Sequence, residues 1–143
     1  MVEMTKVMSS IRYVVNNPLL WAVLTALWMF VIYALSDRPA EDFDSDSVSW
    51  IPFADKFVHV ALYAILSVFS LRTFTSVKAM AKHYAIFATL LLAVVWGVLD
   101  EVHQSEVPGR SSEISDVVAD GFGAVLVVVI WFVFSRYQSF NKS

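Results

Sequence analysis

Four apolar runs, each close to the length of a membrane crossing, leave this 143-residue chain little room to be anything but a small helical membrane protein. About 20 apolar residues carry an α-helix across hydrocarbon, and the runs at residues 19–35, 56–74, 84–101 and 117–134 approach that length with only short connections between them. Composition agrees: 58% of the chain is hydrophobic and 16% charged, against roughly 45–50% and about 25% in a soluble domain. We therefore expect an all-α membrane protein, a single domain over residues 1–143 with four transmembrane helices in one compact bundle. The first run is too long for a signal-peptide core of about 7–15 residues, and three further spans follow it. Before it, Lys6 and Arg12 stand among apolar residues, a pattern that suits a short N-terminal helix lying at the interface. With no cysteine, disulfides and thiolate metal ligands are excluded.

Punctuation marks the ends of the runs. Pro18 occupies the first turn of the first helix, where proline lacks nothing it needs. Residues 36–39 stop that helix, and the acids Glu41, Asp42, Asp44 and Asp46 predict a solvated loop over 40–49. Residues 50–53 then return the chain to the interface, a favoured place for Trp50. Pro108-Gly109 breaks the chain after the third run, and Ser115 is placed to cap a last helix beginning at Asp116. Lys6, Arg12, Arg72, Lys78, Lys82, Arg136 and Lys142 all fall on one side of the four spans, and acids dominate the other. The lysine and arginine bias predicts cytoplasmic termini and an outer face carrying the acids.

The polar residues at that outer face are patterned. Asp55, His59 and Tyr63 recur every fourth residue, and Lys56 precedes His59 by three, so they share a helical face over about two turns, or about 11 Å. Gly97, Asp100, Glu101 and Gln104 follow the i, i+3, i+4, i+7 rule, as do Asp116, Ala119, Asp120 and Gly123. Two such stripes of small and polar residues let helices approach closely in lipid. They form either a structural network of mutually neutralised groups or a site, and ionisable groups in membrane segments tend to mark sites. Lys56, His59, Tyr63, Asp100, Glu101, Gln104, Arg110, Asp116 and Asp120 are the candidate ligand-binding set. Within it Lys56 and Arg110 suit an anion, arginine in bidentate fashion, and Glu101, His59 and Asp100 are the candidates for acid–base catalysis. His59, Asp100, Glu101, His103 and Asp116 offer metal donors, but with no HExxH spacing or similar signature no metal and no other cofactor is expected. Ser111 and Ser112 sit in no nucleophile elbow.

The run 54–66, ADKFVHVALYAIL, and the run 100–123, DEVHQSEVPGRSSEISDVVADGFG, together with Ser36 and Pro39, make the chain similar to the VanZ-like family. The DExxQ, PGR and following aspartate stand in the family's order; Asp120 departs from it, standing where the family usually has asparagine. The resemblance implies a small bacterial inner-membrane protein of four to five helices, in a family whose founding member confers resistance to teicoplanin, a glycopeptide with a lipid tail. It leaves open three readings: recognition of a membrane lipid or lipid-linked envelope component, enzymatic modification of such a lipid, or a structural accessory role. No nucleic-acid partner is expected, and no protein partner is indicated.

Overall fold

A computed structural model describes residues 3–4, 6–8, 15–39 and 53–141. The expected acidic loop at 40–49, the return at 50–52, Arg12 and Lys142 lie outside the described residues. Four long helices form the bundle: α1 (Pro18–Ser36), α2 (Ala54–Ser76), α3 (Lys82–Gln104) and α4 (Ile114–Phe140). No strand occurs among the described residues. The described residues of the N-terminal segment are helical, with Met4, Val7 and Met8 exposed. All four long helices meet the length and hydropathy of a membrane span, and 23 residues, as in α2 and α3, rise about 35 Å, more than the roughly 30 Å of hydrocarbon.

Each helix outruns its apolar stretch. α1 starts where Asn17 caps it, its side chain accepting from the Leu19 N–H at 3.0 Å, with Pro18 in the first turn as expected. α3 takes in Lys82 and His83 at one end and continues through Asp100 to Gln104 at the other. α4 begins at Ile114, two residues before the expected start, and the Ser115 hydroxyl donates to Glu113 instead of capping the helix. Polar residues end the hydrophobic match but leave backbone hydrogen bonding intact, so the helices continue past it into their charged turns.

The bundle is inverted relative to a soluble one. Its outer faces carry Leu27, Phe30, Phe87, Leu91, Val118 and Phe122, all well exposed. Its interior is built largely from small and hydroxylic residues, among them Ser67, Ser70, Ala85, Thr89, Ala93 and Ala124. Hydrocarbon offers no gain for burying leucine against leucine, so close backbone approach and internal hydrogen bonds carry the packing. α2 is central and packs on the other three helices. Ile32, Tyr63, Leu66, Ala93 and Ala124 form the core, with Trp28 and Trp96 against it.

Two polar ties hold α1 to α2. Trp28 Nε1 donates to the Leu62 carbonyl at 2.9 Å, and the Thr25 and Thr73 hydroxyls stand 3.1 Å apart. At the basic end, Arg72 donates to the Val15 carbonyl at 2.8 Å and lies over the Trp21 ring. The alternation of helix directions puts the C-termini of α1 and α3 and the N-termini of α2 and α4 at the opposite end, which fixes where the remaining polar groups meet.

Candidate functional site at one end of the bundle

Lys56 lies in the first turn of α2, and its Nζ is enclosed by carboxylates: Asp55 at 2.6 Å, Glu113 at 2.7 Å and Asp116 at 2.9 Å. Asp116 is buried in the first turn of α4, where the helix dipole also favours a negative charge. The Lys56 ammonium holds the exposed Glu113 carboxyl below the usual range, helped by the Ser115 hydroxyl.

One turn deeper on α2, His59 Nδ1 lies 2.9 Å from Oδ1 of Asp120, which is completely buried on α4. Asp120 fits because α3 presents Gly97 to it: a Cβ built there would come 2.5 Å from Asp120 Oδ2. Another turn down, the Tyr63 ring runs nearly parallel to His59, 6.4 Å between centroids, and its hydroxyl is buried without a hydrogen-bond partner among the described residues.

The last turn of α3 supplies the opposite wall. Gln104 Nε2 donates to Asp100 Oδ2 at 3.0 Å and to the Ser36 hydroxyl at 3.2 Å, joining the ends of α3 and α1. Glu101 Oε2 accepts the Glu113 N–H at 2.7 Å, so this carboxylate anchors the residue that precedes α4. Its other oxygen, Oε1, is buried and makes no hydrogen bond among the described residues. One donor atom from each of His59, Asp100 and Glu101 falls within 4.8 Å of the others. The turn between α3 and α4 passes Gly109 at φ 76°, a left-handed conformation that glycine adopts freely, and brings Arg110 back so that Nη2 donates to the Leu35 carbonyl at 3.3 Å.

All nine candidate residues from the sequence thus collect at one end of the bundle, drawn from α2, α3, α4 and the turn before α4. Ser36, Asp55 and Glu113 join them. The sequence gives no signal for Glu113, because its contact with Lys56 spans 57 positions. His103 turns outward, pairing with Asp37 at 3.1 Å and lying over Tyr33. Chemically the arrangement offers a partly exposed cation already matched by acids, a histidine oriented by a buried carboxylate, and unused acceptor capacity on Glu101.

Residues 21–135 match the family model described as VanZ/LLP1. No curated protein and no solved structure matches the chain.

Proposed function

The chain belongs to the VanZ/LLP1 family, and from that premise we propose that its polar end recognises the headgroup of a lipid or a lipid-linked cell-envelope compound. Unused polar capacity carries this reading: the buried oxygen of Glu101 and the Tyr63 hydroxyl lack hydrogen bonds among the described residues. A buried polar group without a partner costs about 1–3 kcal/mol, and a ligand that pairs with it recovers that cost. Glu101 lies in the last turn of α3 and Tyr63 about two and a half turns into α2, so the two line a recess that opens at the membrane boundary, where a headgroup would be held. In this reading the polar end faces outward from the bacterial inner membrane and both termini are cytoplasmic. The basic residues Arg72, Lys78, Lys82 and Arg136 at the far end support that orientation. The teicoplanin association fits the same face, since a lipid-tailed glycopeptide would present its polar part there.

Native mass spectrometry of protein released from lipid nanodiscs tests the reading, wild type beside Arg110→Ala, with helicity and melting measured on the same samples. Wild type is expected to retain a polar lipid and the folded variant to lose it. A wild type that retains none, beside a variant that is only destabilised, would replace headgroup recognition with a purely structural role for the network.

The His59–Asp120 pair favours one second reading, an enzyme acting on the same lipid. A carboxylate on Nδ1 fixes the imidazole and leaves Nε2 to move a proton, with Glu101 or Asp100 beside it. Under that reading Glu101→Gln keeps the lipid and abolishes turnover in a lipid-modification assay; equal losses of binding and turnover would count against it.

A further inference from the structure

We propose that His59, Asp100 and Glu101 form a binding site for one divalent transition-metal ion, of the zinc or manganese type. The inference goes beyond headgroup recognition and does not rest on it, because an ion can be held there with or without a lipid.

Geometry is the first argument. The three donor atoms lie within 4.8 Å of one another. An ion bound at about 2.1 Å in tetrahedral geometry keeps its ligands roughly 3.4 Å apart. The set therefore has to contract by about 1.4 Å at most, which rotations of the three side chains can supply. One imidazole and two carboxylates is also a donor set that suits zinc or manganese. No local spacing betrays it, because His59 comes from α2 and the two acids from adjacent positions at the end of α3.

The second argument is orientation. Metal-binding histidines commonly give their other ring nitrogen to a carboxylate, which fixes the tautomer and the direction of the ring. Asp120 Oδ1, 2.9 Å from His59 Nδ1, stands in that relation and leaves Nε2 for an ion. Asp120 is itself completely buried and shaped into place by Gly97.

The third argument is the unfilled valence. Glu101 is 5% exposed; one oxygen is committed to the Glu113 N–H, while Oε1 is buried with no hydrogen bond among the described residues. The neighbouring trio Asp55, Glu113 and Asp116 is equally compact, yet there Lys56 Nζ already stands within 2.9 Å of each acid. Lys56 makes no salt bridge to Asp100 or Glu101. Two carboxylates buried side by side repel one another and lose hydration, and a dication held between them and an imidazole offsets both costs.

The test uses the full chain in nanodiscs of a single synthetic lipid, stripped with EDTA and dialysed, then titrated calorimetrically with zinc and manganese chlorides, with bound metal measured by mass spectrometry. Wild type is expected to bind one equivalent of at least one ion. His59→Gln and Glu101→Gln are expected to weaken it about 100-fold, and Asp120→Asn about 10-fold through the histidine. His83→Gln, at the opposite end of α3 from the trio, should bind as wild type. Glu101→Gln retains an acceptor for the Glu113 N–H, so it keeps the protein folded for the comparison, which circular dichroism checks. No saturable binding by wild type, undiminished binding by folded Glu101→Gln, or loss of binding in His83→Gln would each overturn the proposal. Failure of the lipid experiment would leave it standing, since no envelope lipid enters this one.

Discussion

Gly123→Ala should destabilise the bundle by about 3 kcal/mol, the upper part of the range for forcing extra volume into packed contacts. A Cβ at this position would run into the Val60 carbonyl oxygen and come 3.1 Å from the Ala64 nitrogen. Both obstacles are backbone, so no rotamer change relieves them, and α2 and α4 would have to separate where they pack most extensively. Gly121→Ala, two residues away, is the matching control: its Cβ would meet only Val94 Cγ2, at 4.0 Å. In helix interiors alanine is favoured over glycine by roughly 0.5–1 kcal/mol, so this variant should melt at or above the wild-type temperature. Detergent-solubilised protein followed by circular dichroism through heating separates the two. If both alanine variants melt together, the close approach of α2 and α4 at Gly123 is wrong.

The second large effect is expected from Lys56→Met. Methionine keeps most of the stem and deletes the charge, leaving Asp55, Glu113 and buried Asp116 to face each other without a cation. Removing one partner of a fully buried pair costs about 3–5 kcal/mol. Lys56 retains 20% of its side-chain exposure, and solvent screens part of the repulsion, so we expect about 2 kcal/mol. The diagnostic is a double-mutant cycle with Asp116→Asn. The pair of substitutions together should cost clearly less than the sum of the two alone, whereas strict additivity would show that Lys56 and Asp116 do not interact in solution.

Hydropathy located the four spans because lipid-facing positions must be apolar whatever their partners. It fell short at both ends of α3 and at the start of α4, where Lys82, Gln104 and Ile114 belong to helices whose sequence signal has already turned polar. The stripes on α3 and α4 were readable for the same periodic reason, and they place Asp100, Glu101, Gln104, Asp116 and Asp120 on one side. Pairings were not readable. Trp28 with Leu62, Asp37 with His103 and Lys56 with Glu113 each join different parts of the fold, and nothing local distinguishes the chosen partner from its neighbours. Glu113 illustrates the limit well: as a lone acid in a turn it reads as solvated, and only the return of the chain over α2 gives it a role.

The same separation along the chain has a consequence for biosynthesis. Chains emerge from the ribosome N-terminal end first, so α2 leaves it before α4 exists. His59 then waits for Asp120, 61 positions downstream, and Lys56 waits for Glu113 and Asp116. Asp55, the immediate neighbour of Lys56 and the most exposed of its partners, is the only counter-charge of the cluster already present at that stage. It can accompany the ammonium at the membrane surface until the last helix arrives to close the network.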